Sequence, residues 1–130
     1  MPLELKLLVW STALVFVVVL ISMLGAMLQV GVPALAGNRE GLGEYKGWAG
    51  RAQRSHRNLL ENLILFAILV LVAQATGHLN AMTALGAQIF FWARVAHAVI
   101  YIAGIPWVRS IAWTVSIVGL IIIFLQLVQG

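Results

Sequence analysis

Four apolar runs, each near the length that crosses a bilayer, constrain this chain more than any other feature: Leu5–Val30, Leu59–Ala75, Ala81–Ile105 and Trp107–Val128. A hydrocarbon core about 30 Å thick needs roughly 20 apolar residues per spanning helix. Backbone polar groups cannot stay unpaired in lipid, so a spanning chain must form helices or a closed barrel. None of the four runs shows the alternation of a barrel strand. The expected fold is therefore an all-α integral membrane protein, a four-transmembrane-helix bundle forming one domain over residues 1–130. Its helices are expected at about 5–30, 51–76, 80–104 and 106–129, with a loop at about 31–50. Composition agrees: 62% of the 130 residues are hydrophobic and 9% are charged.

The N-terminus imitates a secretory signal, with Lys6, an apolar run and an Ala34-Leu35-Ala36 site. A signal's apolar region is about 7 to 15 residues long, and this run is far longer, so it reads as a retained first helix. The net charge of +4 does not suggest nucleic acid, because the basic residues gather at one set of helix ends. Arg39, Lys46, Arg51, Arg54 and Arg57 lie in or beside the first loop, and Arg109 lies in the third. The positive-inside rule turns those loops to the cytoplasm and both termini outward. The absence of cysteine excludes disulfides, zinc–thiolate sites and a protein thiol nucleophile. Any sulfur chemistry must then come from a substrate.

Residues 31–50 hold six of the twelve glycines and read as a turn-rich loop. The second connection is short, with Gly77 as a helix stop and Asn80 as an N-cap. Gly104-Ile105-Pro106 ends the third helix and lets Pro106 begin the fourth. Ala112, Ser116 and Gly119 on the fourth helix permit close backbone approach, for which packing within the chain is the simpler reading.

Polar residues inside the apolar helices carry the functional signal. At 100° per residue, Arg54, Arg57, Asn58 and Glu61 fall within an arc of about 100°, while His56 points away. Arg94, His97 and Tyr101 follow i, i+3, i+7 within about 60° on the third helix. Glu61 and Arg94 are each about 15 Å from a cytoplasmic helix end, so they reach one level. An ionised group at such depth costs on the order of 2.5 to 3.5 kcal/mol. Two such groups should pair, or line a wet cavity.

A Glu61–Arg94 ion pair that fixes packing is one reading. The cationic surplus of Arg51, Arg54, Arg57, Arg94 and Arg109 favours another, in which Asn58, His97, Tyr101 and Ser110 help bind an anion. Arginine presents planar, bidentate donors to carboxylates, and Glu61 is suited to an ammonium. A small zwitterionic peptide with two carboxylates fits this set. Arg51, Arg54 and Arg57 also have the simpler reading of interfacial residues, as do Tyr45, Trp48 and Trp107, and His56 reads as a packing or headgroup residue.

The segments RSHRNLLEN at 54–62, RVAHAVIY at 94–101 and Arg109-Ser110 resemble the MAPEG family, membrane-associated proteins in eicosanoid and glutathione metabolism. The likeness spans all four helices and is strongest to the prostaglandin E synthase branch and bacterial members. It implies a homotrimer that binds glutathione between subunits near the cytoplasmic side. Arg57, Asn58, Glu61, His97 and Tyr101 would contact glutathione, with Arg54 and Arg94 in support. Arg109 would stand near the sulfur, with Ser110 beside it as the competing thiol partner. A thiol of pKa about 8.5 is only a few per cent ionised at pH 7, and each unit of depression is worth about 1.4 kcal/mol. One guanidinium can supply that, and the thiolate would attack a lipophilic electrophile or hydroperoxide dissolved in the bilayer.

The sequence departs from the family pattern at two places. The chain has no aspartate for the first loop, where Glu40 or Glu44 is the available stand-in, and Gln29 to Gly37 lacks the arginine expected at the end of the first helix. Both departures argue against prostaglandin isomerase activity. The expected activity is that of a glutathione-dependent transferase or peroxidase. The alternatives are a non-catalytic protein of the same fold and a small exporter of cations built around Glu61.

Overall fold

The computed structural model describes residues 1–39, 41, 43 and 45–129, and Glu40 and Glu44, the stand-ins for the missing aspartate, lie outside them. The helices are α1 (Leu3–Val30), α2 (Val32–Ala36), α3 (Gly47–Ala75), α4 (Ala81–Ala103) and α5 (Pro106–Gln129). Helices α1, α3, α4 and α5 are long and apolar enough to cross a membrane, and among the described residues there is no strand. The protein is thus a multi-pass integral membrane protein built as a four-helix bundle.

Both ends of the expected 31–50 loop are helical, in α2 and in the first turn of α3. Gly31, at φ +84°, ends α1, and Val32-Pro33 starts α2, where proline sits in the first turn and forfeits no helical hydrogen bond. Helix α3 begins one turn earlier than expected, at Gly47. Gln29 fastens the far end of this connection to α1: its Nε2 donates to the Lys46 carbonyl at 2.6 Å, and its Oε1 accepts from the Lys46 N–H at 2.9 Å.

The other two connections follow their turn chemistry. Asn80 caps α4 in a reciprocal box: its Oδ1 accepts from the Met82 and Thr83 N–H groups, and its own N–H donates to Thr83 Oγ1 at 2.8 Å. Gly104 ends α4 in the left-handed conformation, and Pro106 opens α5.

Helix α1 packs against α3 and α4, α3 packs against α4, α4 packs closely along α5, and α3 touches α5 only lightly. The core centres on the stacked rings of Phe66 and Phe90, 4.3 Å between centroids, surrounded by Leu7, Val70, Leu120 and Ile123. Two small-residue contacts set the helix spacings. A Cβ on Gly119 would lie 2.6 Å from the Gly86 carbonyl oxygen, and one on Gly25 would lie 2.5 Å from Ala49 Cβ. The small-residue stripe of α5 therefore serves packing within the chain.

Opposite the α4–α5 connection, Glu4 is buried beside the cap of α4. Thr83 Oγ1 donates to its carboxylate at 2.5 Å, while Asn80 Nδ2 donates to Gln126 Oε1 at 2.9 Å. Of the two acids on the spanning helices, Glu4, the second residue of α1, is buried, whereas Glu61 is exposed. Outside this interior, large apolar side chains such as Trp10, Phe16, Trp92 and Trp107 stand exposed all round the bundle, as a lipid-facing surface requires.

Candidate functional site

Helices α3, α4 and α5 converge on a cavity of about 400 Å³ lined by Asn58, His97, Tyr101, Arg109, Ser110, Trp113 and Thr114. The helical periodicity of α4 produces most of it. Arg94, His97 and Tyr101 project along one face, with Arg94 and His97 buried and Tyr101 half-buried toward the opening. The His97 and Tyr101 rings meet edge to face at 5.5 Å, and the Arg109 guanidinium lies 4.5 Å from the Tyr101 ring centroid. Quadrupolar attraction of this kind holds a cation over a ring with a strength of about 0.5 to 1 kcal/mol at exposed sites. Tyr101 thus orients Arg109 over the cavity.

Arg94 lies wholly out of solvent. Its Nη2 donates to Asn58 Oδ1 at 2.6 Å, while its Nε and Nη1 have no partner among the described residues. His97 Nδ1 is likewise buried with no partner among the described residues. Asn58 is itself positioned from within α3, where Asn62 Nδ2 donates to the Asn58 carbonyl at 2.8 Å. A buried guanidinium with two unused donors is costly unless something polar joins it. Arg94 stands behind Asn58 rather than on the cavity wall, and Arg109 is the cation on that wall; none of the described lining residues is a carboxylate.

Three of the expected site residues do not join this cluster within one chain. Arg54 and Glu61 are exposed, and Arg57 lines a different cavity. The buried stripe of α3 runs through Ser55, Leu59, Asn62, Phe66 and Val70, so only the Asn58 edge of the expected arc borders the main cavity. An arc of about 100° is wide enough to run from a cavity wall to the outer surface of a helix. The Glu61–Arg94 pair is not formed: Arg94 bonds Asn58 one turn nearer the helix start, and Glu61 faces outward. An exporter built around Glu61 loses its central acid for the same reason.

The structure adds residues that the sequence reading passed over. Trp113 and Thr114 line the main cavity at i+3 and i+4 from Ser110, the spacing that would have pointed to them. Thr114 Oγ1 donates to the Ser110 carbonyl at 2.9 Å. A mainly apolar cavity of about 310 Å³, walled by Trp107, Ile111 and Val115, shares Ser110 and Thr114 with the polar one. Elsewhere, Ser22, Arg39, Tyr45, Gln53, His56 and Arg57 line a third space of about 180 Å³ between the end of α1 and the start of α3.

Four membrane-spanning helices with a polar, arginine-bearing cavity toward one end of the bundle define the class: a small helical membrane protein with a polar site among its helices. The chain belongs to the MAPEG family, whose model matches residues 7–129. Membership makes it a membrane protein of the glutathione and eicosanoid metabolism family, which includes glutathione transferases and peroxidases. No curated protein matches the sequence.

Proposed function

We propose that the protein is a glutathione-dependent transferase or peroxidase acting on lipophilic electrophiles or hydroperoxides. The observation that carries this reading is the convergence of Asn58, His97, Tyr101, Arg109 and Ser110 on one cavity, with Arg94 beneath them. The guanidinium of Arg109 on the cavity wall suits the thiolate or a carboxylate of glutathione, and Arg94, bonded to Asn58, holds that amide at the cavity edge and adds positive charge behind it. Arg109, held over Tyr101, stabilises the ionised sulfur, and Ser110 offers it a hydroxyl. The thiol proton leaves to water. The sulfur then forms a bond to an electrophilic carbon while the leaving group departs with its electron pair, or attacks the terminal oxygen of a hydroperoxide. In the second case the S–O bond forms as the O–O bond breaks, sulfur is oxidised to a sulfenic acid, and the departing alkoxide takes a proton from water to become an alcohol. The apolar cavity across Ser110 and Thr114 is suited to the lipophilic reactant.

Arg54, Arg57 and Glu61 enter this scheme through assembly. In a homotrimer, glutathione bound between subunits meets groups that a single chain leaves exposed, and Arg54 and Glu61 are such groups. The positive-inside rule supports a cytoplasmic site with both termini outside, because the basic residues gather at that set of helix ends.

The test is glutathione binding to the detergent-purified protein, with thiolate absorbance recorded in parallel. Wild type is expected to bind and ionise the thiol, Arg109→Ala to bind without the thiolate signal, and Arg94→Ala to lose binding. A well-assembled wild type that does not bind glutathione overturns the proposal. Binding with an unperturbed thiol and no turnover would instead identify a non-catalytic member of the family.

A further inference from the structure

We propose that the space between the end of α1, α2 and the start of α3 binds the phosphate headgroup of an anionic phospholipid. Arg39, His56 and Arg57 converge there with the hydroxyl-bearing Tyr45 and Ser22, and none of its described lining residues is acidic. At about 180 Å³ it is smaller than the roughly 300 Å³ at which sites for drug-sized molecules begin. A headgroup suits it better than a whole peptide.

Arg39 gives the space its direction. Among the described residues it is the one non-glycine with a positive φ, +63°, a conformation that is uncommon for side-chain-bearing residues and persists where the surroundings over-determine it. Its Nε donates to the Leu35 carbonyl at 2.7 Å, which pins the guanidinium against the end of α2 and leaves its Nη groups as the donors available to a ligand. Arg39 also borders a second cavity, about 220 Å³, lined by Met23, Met27, Val32, Leu35 and Ala36. Met23 and Arg39 belong to both spaces. A cationic pocket thus opens beside an apolar one whose methionines adapt to an irregular chain.

That pairing matches an amphiphile: an anionic head on the arginines and an acyl chain along the elbow of α1 and α2. The cationic helix ends belong at the leaflet interface, where anionic lipids attract basic groups. The site shares no lining residue with the larger cavity; Arg57 is the one residue it has in common with the glutathione site proposed for the trimer, so Arg39 and His56 are the residues that tell the two apart.

The experiment titrates the assembled, detergent-purified protein calorimetrically with dihexanoyl phosphatidylglycerol, dihexanoyl phosphatidylcholine and glycerol phosphate. Phosphatidylglycerol is expected to bind at least about tenfold more tightly than the other two, the value of one charge-assisted hydrogen bond. Arg39→Gly, which removes the guanidinium while glycine accepts the same φ, is expected to lower that affinity about tenfold and leave glutathione binding unchanged. His56→Ala, in a helix and so independent of loop geometry, is expected to weaken phosphatidylglycerol binding in the same direction.

Equal binding of the two lipids, or unchanged affinity in both variants, overturns the proposal. Glycerol phosphate binding as tightly as phosphatidylglycerol makes the ligand free phosphate and overturns the lipid assignment. Displacement of phosphatidylglycerol by glutathione overturns it as well, because the space would then be part of the glutathione site.

Discussion

Arg94 shows how one residue ties stability to the site. Its contact with Asn58 is the sole hydrogen bond it makes to another described side chain, so Asn58→Leu strands a fully buried guanidinium. Loss of that partner is expected to cost about 2 kcal/mol, visible as a lower midpoint in detergent unfolding. Tyr101 acts on Arg109 in a different way. Tyr101→Phe keeps the ring and should preserve thiolate formation, whereas Tyr101→Leu removes the cation–π contact of about 1 kcal/mol and should cut the thiolate fraction roughly fivefold. Absorbance of bound glutathione distinguishes the two.

The α4 residues were legible in the sequence because Arg94, His97 and Tyr101 repeat on a narrow helical face within an otherwise apolar run. The α3 residues were less so. Arg54, Arg57, Asn58 and Glu61 share a broader arc, and periodicity alone cannot say which edge of it meets α4. Glu4 escaped notice because an acid two residues into a helix reads as an interfacial charge until Thr83 is seen to meet it.

At the scale of elements, backbone proximity governs the bundle. The Gly86–Gly119 crossing brings α4 and α5 together with carbonyl oxygens where side chains would begin. Backbone atoms cannot rotate aside as a flexible side chain does, so Gly119→Ala forces the helices apart. The expected loss is about 1 to 3 kcal/mol, read from the same unfolding midpoint, with the cavity between Tyr101 and Arg109 widened and glutathione affinity reduced. The stripe of Ala112, Ser116 and Gly119 announced this contact, but its partner on α4 emerges only in three dimensions.

The turns were easier to read, since Asn80, Gly104 and Pro106 each have one conformational use that fits their place. The first connection was harder. Val32–Ala36 is too short to register as a helix against flanking glycines, and the fold-back of Arg39 depends on its bond to Leu35 rather than on any sequence period.

For the whole molecule, the four spans follow from apolar length, since lipid admits little else. The arrangement of polar groups does not. Arg54 and Glu61 stand outside the chain's own cavity, and a proposed trimer is what gives them a ligand to meet. Glu61→Ala is therefore expected to leave the unfolding midpoint within about 0.5 kcal/mol, as exposed substitutions do, while weakening glutathione binding at least severalfold. Light scattering and calorimetry on the same sample check both halves, and retention of full affinity by a dissociated monomer would reject the intersubunit site.

The contact between Glu4 and Thr83 also has a bearing on biosynthesis. The two residues lie 79 positions apart in the chain, which at 5 to 20 residues per second is roughly 4 to 16 s of translation. For much of that interval the first helix is complete while its carboxyl group waits for a donor that has not yet been made. Its final seat in the bilayer is fixed only when α4 arrives, so a chain stalled before Thr83 should carry an α1 that remains loosely held and open to quality control.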